Sequence, residues 1–377
     1  MARTYDVYFA TNRDFNGDLN QPEFGERFNA AGPQYFRVGR ARIERRGRDS
    51  YRYKSGQVEP EELDNNVIGS QKLFEDIRRV VVEKKQDILL YIHGFANTFE
   101  SSLERAAQLH HEYMISPPAS PSGEACEPYL PVVFAFSWPS NGRVFPKYEY
   151  QSDRDDAQAS GVAIARALVR LLQYLKQLKD EEQQLRRERA LHPRDVLPDD
   201  ERLVCGQRIH LVAHSMGNWA LRHAINRFAE EVQMQPLPRI FEHVLLMAAD
   251  EDDDTFEHSL KLGLLPGMAK FVHVYHSRSD LVLDVSDVTK GNPNRLGEAG
   301  PGTMETISDR VYAIDCAGVD HTEAGHGNHQ YYRLREEVIA DVRQVLSGAP
   351  FDAIDGRVRT TRSRSFRILT RRQAEGG

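Results

Sequence analysis

The stretch Ala213-His214-Ser215-Met216-Gly217 contains the residue types that hold a nucleophilic serine at a sharp turn. The apolar run "RIHLVA" leads into it and the helical stretch "NWALRHAINRFAEEV" follows, so the serine lies between a strand and a helix. Residues two positions before and after such a serine must be small, which Ala213 and Gly217 satisfy, although glycine is more usual at the first position. We therefore predict that Ser215 is a nucleophile rather than part of a chance match to this short pattern.

A serine hydroxyl is a weak nucleophile until a histidine accepts its proton and a carboxylate orients that histidine. Asp280 follows the apolar run "FVHVYH", where the chain order nucleophile, acid, histidine places the acid. Asp250, at the end of "HVLLMAAD", is the alternative acid, although the acidic run that it begins is also typical of a solvated loop. We predict Asp280 as the acid and keep Asp250 as the alternative.

Three histidines follow the apolar run "RVYAID", which is the last predicted strand: His321, His326 and His329. His329 comes directly before "QYYRLREEV", which is predicted as the closing helix, and it is the favoured base. His326 is the second choice and His321 is the third.

Backbone N–H groups must stabilise the negative charge that forms on a carbonyl oxygen after the serine attacks. One donor is the residue after the nucleophile, Met216, and the other is expected in the loop after an earlier strand. The stretch "LLYIHGFANTFE" provides that loop, with Phe95 as the donor and Gly94 allowing close approach of the backbone. The helix that follows is predicted to begin with Asn97 and Glu100 as its capping pair.

Six short apolar runs predict the strands that position these residues. They lack polar–apolar alternation, as strands covered on both faces do, and amphipathic helical stretches lie between most of them. The runs are 87–92, 131–136, 208–213, 243–248, 271–276 and 310–315. Repeated strand–helix–strand order predicts an α/β fold with a mainly parallel sheet flanked by helices. Near the N-terminus, "TYDVYFATNR" and "YFRVGRARIER" have no helix between them and predict antiparallel edge strands of the same sheet.

The segment 138–153, "WPSNGRVFPKYEYQSD", leaves one of these strands at the edge where the candidate residues lie. It is polar and aromatic and contains turn-forming glycine and proline, so we predict a loop that lines a substrate pocket. Its predicted substrate contacts are Trp138, Phe145 and Tyr148. The alternative for Trp138 and Tyr148 is a core and a surface aromatic residue, respectively.

One domain is predicted over residues 1–350, with a densely charged insertion at about 176–202 that continues a helix into solvent and then forms a loop. The basic residues 351–377 are predicted to be a flexible or loosely docked C-terminal tail, with an arm that binds nucleic acid or an anionic surface as the alternative.

The chain has 377 residues, of which 40% are hydrophobic and 28% are charged, and a formal net charge of −7. These values are typical of a soluble globular protein, and the net negative charge does not favour nucleic-acid binding. The sequence shows neither a signal-peptide pattern nor an apolar run near the roughly 20 residues of a membrane span, so we expect a cytoplasmic protein. The three cysteines lie far apart and the acidic run lacks metal-ligand spacing, so we expect no cofactor and no metal.

Over roughly residues 5–345 the chain resembles the α/β-hydrolase superfamily, and more narrowly a bacterial hydrolase family catalogued as a domain of unknown function. The matching motifs are "YFATNR", "VGRARIE", "YIHGFANTFESSLERAAQL", "FSWPSNGR", "HLVAHSMGN", "LLMAADEDDDTF", "HSRSDLVLDVS", "NRLG" and "HGNHQYY". The resemblance implies an α/β-hydrolase fold with a Ser-His-Asp triad. The last motif supports His329, because that family places a histidine just before a small or polar residue and an aromatic pair. The resemblance implies little about the substrate.

Together these features predict a serine hydrolase that cleaves a small-molecule carboxylic ester through an acyl-enzyme, as a carboxylesterase or a lipase-like enzyme does. Its triad is Ser215, His329 and Asp280. The alternatives are an amidase, peptidase or acyltransferase with the same triad, and a binding protein of the same fold without catalytic activity. The sequence does not predict the oligomeric state.

Overall fold

The computed structural model describes residues 3–60, 68–84, 86–115, 129, 131–143, 148–191, 207–233, 236–280, 282, 294–319 and 328–370. Within them, eleven strands form one sheet and two further strands form a separate antiparallel pair. No helix of this part of the chain is long and apolar enough to cross a membrane.

The strands alternate with helices along most of the chain. The strands are β1 (Arg3–Thr11), β2 (Arg13–Gly17), β3 (Pro22–Phe28), β4 (Arg37–Arg45), β5 (Tyr51–Val58), β6 (Ile88–Ile92), β7 (Val132–Ser137), β8 (Ile209–His214), β9 (Phe241–Met247), β10 (Ala269–His276), β11 (Val311–Asp315), β12 (Arg357–Arg359) and β13 (Ser365–Ile368). The helices are α1 (Gly69–Lys84), α2 (Phe99–Glu112), α3 (Tyr148–Leu191), α4 (Gly217–Val232), α5 (Leu265–Met268), α6 (Leu296–Ala299), α7 (Tyr331–Leu334) and α8 (Glu336–Ser347).

The strand order of the large sheet is β12-β13-β11-β10-β9-β8-β6-β7-β1-β4-β5. Every neighbouring pair from β13 to β1 is parallel, whereas β4 and β5 at one end and β12 at the other end pair antiparallel. The predicted α/β fold, with a mainly parallel sheet flanked by helices and an antiparallel N-terminal edge, is confirmed.

Both faces of the sheet are covered by apolar side chains, which explains why its central strands are apolar without alternation. In β8, Leu211 and Ala213 face a core formed with α1, α3 and α4, while Val212 faces a second core formed with α2 and α8. The candidate serine therefore follows a strand that is buried along its whole length.

The segment predicted as a loosely docked basic tail joins the sheet. Strand β13 pairs in parallel with β11, and β12 pairs antiparallel with β13. Arg357 of β12 forms a buried ion pair with Asp341 of α8, and Asp341 also accepts a hydrogen bond of 2.6 Å from the Tyr275 hydroxyl. The prediction of a flexible or loosely docked terminus is therefore wrong for residues 357–368. The basic residues suggested an exposed terminus, but one of them, Arg357, is paired with a carboxylate inside the protein.

Two local predictions also differ from the structure. Residues 148–153 belong to α3 and not to a loop, so the predicted loop 138–153 is irregular at 138–143 and helical from Tyr148. Helix α2 is capped by Thr98, whose hydroxyl oxygen accepts a hydrogen bond from the Ser101 N–H, and not by Asn97.

Candidate active site

Ser215 lies at the turn between β8 and α4 with a φ of +52°, a left-handed conformation that non-glycine residues rarely adopt. Its N–H donates to the carbonyl oxygen of Met247 at 2.9 Å. Its own carbonyl oxygen accepts hydrogen bonds from the N–H groups of Asn218, at 3.0 Å, and Asp250, at 3.2 Å. These bonds to β9, to the residues after it and to α4 fix the backbone in a strained strand-to-helix turn, an elbow of the kind that is typical of nucleophilic serines.

The elbow is tight enough to require glycine at two positions. A Cβ atom on Gly217 would lie 2.6 Å from the carbonyl oxygens of both Ile92 and His93, which is closer than real Cβ contacts. A Cβ atom on Gly94 would lie 2.8 Å from the Cβ of Ser215. The loop after β6 therefore packs directly against the serine.

His329 and Asp280 are in direct contact. The Nδ1 atom of His329 and the Oδ2 atom of Asp280 are 2.7 Å apart, and both side chains are buried. The loops that carry them are also joined by a hydrogen bond of 3.2 Å from the Asn328 side chain to the Ser279 carbonyl oxygen. A carboxylate that accepts the Nδ1–H of a histidine leaves its Nε2 free to accept a proton.

His214 joins His329 to the elbow. Its Nε2 atom lies 3.0 Å from the carbonyl oxygen of His329, and the two ring centroids are 4.7 Å apart. Burial lowers the pKa of His214 far below its usual range, so the ring is neutral and donates its Nε2–H. Because His214 directly precedes Ser215, this bond brings the His329 backbone to the end of β8.

Asp250, the alternative acid, lies in a different environment. Its carboxylate accepts a hydrogen bond from the Tyr150 hydroxyl and lies 3.6 Å from Nη1 of Arg154 and 3.7 Å from Nη1 of Arg295. These contacts with two cations are typical of a structural carboxylate. The other two candidate bases, His326 and His321, lie outside the described residues.

The loop after β6 is supported by Trp138, which is fully buried. The Trp138 ring stacks on that of His93 with centroids 4.8 Å apart, and its Nε1–H donates to the His93 carbonyl oxygen at 2.8 Å. A side chain packed in this way supports the loop that carries Phe95 rather than offering a surface to a substrate. Of the other two predicted substrate contacts, Tyr148 is 68% exposed at the start of α3 and Phe145 lies outside the described residues.

Arg13 is a residue of this site that the sequence did not reveal. Its side chain is fully buried, and burial lowers the pKa of its guanidinium to about 10. The guanidinium donates to the Ser137 hydroxyl at 3.1 Å and to the carbonyl oxygens of Gly25 at 3.0 Å, Ser140 at 3.1 Å and Asn97 at 2.8 Å. It thus joins the ends of β1 and β7 to the loop after β6. The one available signal was an arginine directly after an apolar strand in "YFATNR".

Asp153 was also missed, because it lies in α3, far along the chain from the loop that it contacts. Its Oδ2 atom accepts hydrogen bonds from the Ala96 N–H, at 3.3 Å, and from the Ser140 hydroxyl. Its Oδ1 atom accepts one from the Asn141 N–H, at 3.3 Å. Ala96 has a φ of +56°, so this carboxylate holds the loop after β6 in a strained conformation.

Comparison with known proteins gives a family match. The sequence model of the family described as "Alpha/beta hydrolase of unknown function (DUF900)" matches residues 70–184 and 199–347, which is more than half of the chain. No curated protein matches. A crystal structure of the product of gene lin2722 from Listeria innocua is similar at 12% identity, covering 75% of this chain and 98% of that chain, with a TM-score of 0.31. A likeness at that level supports no argument about this chain.

Proposed function

The chain belongs to the family of alpha/beta hydrolases of unknown function (DUF900) and is a hydrolase, and from this premise we propose that it is a serine hydrolase that cleaves carboxylic esters. The observation that carries the proposal is the 2.7 Å contact between His329 and Asp280, in a loop hydrogen-bonded to the residue before Ser215. A serine on a strained elbow beside an oriented histidine is the arrangement that acyl transfer requires.

In the proposed reaction the Ser215 oxygen attacks the acyl carbonyl and its proton passes to Nε2 of His329. Asp280 accepts the hydrogen bond from Nδ1, which keeps the ring in the required tautomer and stabilises the imidazolium that forms. His329 then donates the proton to the leaving alcohol, which gives an acyl-enzyme. Water attacks that intermediate in the reverse sequence, with His329 again as the base.

We propose the backbone N–H groups of Met216 and Phe95 as the donors to the oxyanion. Met216 is the N-cap of α4, where the first N–H groups have no partner inside the helix and the helix dipole is positive. Phe95 lies in the loop that Arg13 and Asp153 hold against Ser215. Because such backbone donors are already fixed in place, they need not reorient when negative charge develops on the substrate oxygen.

For the substrate side we propose the exposed ring of Tyr148 as one contact. The Phe95 and Tyr150 rings, which pack edge to face with centroids 5.6 Å apart, are proposed as a second aromatic contact. These residues lie where the loop after β6 meets the start of α3. Their side chains are expected to affect the choice of acyl group and not the chemistry.

A panel of p-nitrophenyl esters and matched p-nitroanilides, with acyl chains of two to twelve carbons, tests the proposed ester hydrolysis. We expect ester hydrolysis that is absent in Ser215→Ala, with the anilides cleaved far more slowly. Faster cleavage of anilides would instead indicate an amidase. Equal rates for the wild type and Ser215→Ala would contradict a serine hydrolase of either kind.

A further inference from the structure

A cleft of about 620 Å³ lies between α2, the β4–β5 connection and the end of α7, and Ser215 is not among its lining residues. Its charged lining residues are Arg48, Asp49, Glu104, Arg105, Arg333 and Arg335. Four arginines face two carboxylates, so positive charges outnumber negative charges by two.

Two of these arginines are held by neutral partners. The Arg333 guanidinium donates to the side-chain oxygens of Gln330, at 2.8 Å, and Gln108, at 2.9 Å. The Arg105 guanidinium donates to the side-chain oxygens of Asn97, at 2.5 Å, and Gln330, at 3.4 Å. In the described part of the chain, neither arginine has a carboxylate within ion-pair distance.

Neither carboxylate of the cleft is hydrogen-bonded to Arg105 or Arg333 among the described residues. Glu104 accepts a hydrogen bond of 2.9 Å from the Tyr53 N–H, and Asp49 accepts one of 3.4 Å from the Gln108 side chain. Burial lowers the pKa of Arg333 and the nearby Arg105 lowers it further, against the opposing effects of two tyrosines and Asp49. A buried charge with neutral partners is costly unless an ion of opposite sign completes the site.

We propose that this cleft binds the phosphoryl group of a small phosphorylated molecule. Guanidinium groups bind phosphate oxygens in pairs through their planar N–H forks, and a phosphomonoester carries up to two negative charges near neutral pH. Arg105 and Arg333, whose described partners are neutral, provide two positive charges for that ligand. The volume lies within the roughly 300–1,000 Å³ of small-molecule sites, so it has room for more than the phosphoryl group itself. The inference is independent of the proposed esterase activity.

Titration calorimetry of the full-length protein at pH 8 tests the proposal, with inorganic phosphate and glycerol 3-phosphate as probes in chloride of matched ionic strength. We expect saturable binding of both probes with one site per chain. The Ser215→Ala variant should bind equally well, because Ser215 does not line the cleft, so this result does not depend on the esterase proposal.

Three arginine variants locate the site. Arg333→Gln should weaken binding at least tenfold, because it removes charge-assisted hydrogen bonds at the most buried arginine. Arg48→Gln should weaken it about threefold; since Arg48 is exposed, this variant tests the site even if Arg333→Gln does not fold. Arg343→Gln removes the same charge from an arginine of α8 that is paired with Glu336 at 2.9 Å and lies outside the lining, so binding should be unchanged.

Absence of saturable phosphate binding would overturn the proposal. An equal loss of affinity in Arg343→Gln and Arg48→Gln would also overturn it, because the effect would then come from net charge alone. A flotation assay with phosphatidylcholine vesicles, with and without phosphatidic acid, tests whether the bound phosphoryl group belongs to a lipid headgroup. Binding to the acidic vesicles without binding of glycerol 3-phosphate would exclude a small-molecule ligand.

Discussion

Two strained residues, Ser215 and Ala96, lie at the ends of neighbouring strands of the sheet, with φ values of +52° and +56°. Each such conformation costs on the order of 1–3 kcal/mol for a residue that is not glycine. Both are held by hydrogen bonds to other elements, from Ser215 to Met247 and from Ala96 to Asp153. The backbone around the candidate oxyanion site is therefore fixed before any substrate binds.

The first prediction at the residue scale concerns the acid. Asp280→Asn should lower kcat by about 10⁴-fold, because the amide no longer holds His329 in the tautomer that accepts the serine proton. The rate of hydrolysis of a p-nitrophenyl ester measures this, and circular dichroism checks that the fold is retained.

Asp250→Asn is the control for this prediction. It should lower the free energy of unfolding, because Arg154 and Arg295 lose a buried counter-charge, but change kcat by much less than Asp280→Asn does. If Asp250→Asn shows the larger loss of kcat, the acid is on the earlier strand.

A second prediction concerns Asp153, which is a positioning residue and does not touch the reacting atoms. Asp153→Asn should lower kcat by roughly 10- to 100-fold with little change in KM, because an amide has only one acceptor oxygen for the three donors that Asp153 binds around the loop after β6. Asp155→Asn, an exposed carboxylate on the same helix, should leave both constants unchanged. A change confined to KM, or an equal effect of the two substitutions, would contradict the positioning role.

At the scale of elements, the parallel strands bring the candidate residues together. Ser215 follows β8, Gly94 follows β6 and Asp280 follows β10. The carboxyl ends of parallel strands meet at one edge of a sheet, so residues far apart in the chain become neighbours there. His329 reaches the same edge in the loop before α7, where its contact with Asp280 joins two loops.

The C-terminal strands give a third prediction. Arg357→Gln should lower the free energy of unfolding by about 3–5 kcal/mol, because it leaves Asp341 charged, buried and without its ion-pair partner. Arg359→Gln on the same strand breaks an exposed pair with Asp352 and removes a guanidinium that lies over the Phe366 ring, and it should cost much less than Arg357→Gln. Urea unfolding of both variants measures the difference, and equal effects would show that β12 is not part of the stable fold.

At the scale of the whole molecule, three buried histidines on neighbouring strands of the sheet make the stability of the fold depend on pH in the acid range. They are His210, His243 and His273, and Nδ1 of His243 lies 3.0 Å from Nε2 of His273. Burial lowers the pKa of each, and that of His243 falls to about 3. Unfolding releases them to water, where a histidine has a pKa of about 6.5.

The fourth prediction follows from His243. Between pH 3 and 6.5 the unfolded chain binds a proton at this residue and the folded protein does not, so its contribution destabilises the fold as the pH falls. His243→Gln removes that contribution and should gain stability relative to the wild type by about 1.4 kcal/mol per pH unit below 6.5. Urea unfolding at several pH values measures the difference. A constant difference between His243→Gln and the wild type at all pH values would contradict the assignment.

Local patterns predicted much of the molecule. The apolar runs identified the central strands, and the small residues around Ser215 identified the elbow, because both signals lie within a few neighbouring residues. The histidine was harder, since three candidates follow one strand; His321 and His326 lie outside the described residues, and the contact with Asp280 supports the proposal of His329. Arg13 and Asp153 were not predicted, because each acts through contacts with residues dozens of positions away.

The basic tail was interpreted wrongly for a related reason. Its composition is typical of an exposed terminus, but Arg357 is ion-paired with Asp341 and donates a hydrogen bond of 3.4 Å to the Tyr275 hydroxyl, and both residues are distant in the chain. We now propose that the single domain extends through β13 rather than ending at about residue 350.

Labelling with a fluorophosphonate, followed by intact mass and peptide mapping, tests the central claim most directly. The account predicts one adduct per chain, located on Ser215, and none in Ser215→Ala. It also predicts labelling slowed at least about 10³-fold in His329→Ala, with a thermal unfolding midpoint close to that of the wild type. An adduct on another residue, no adduct in a folded protein that cleaves esters, or an unchanged labelling rate in His329→Ala would contradict it.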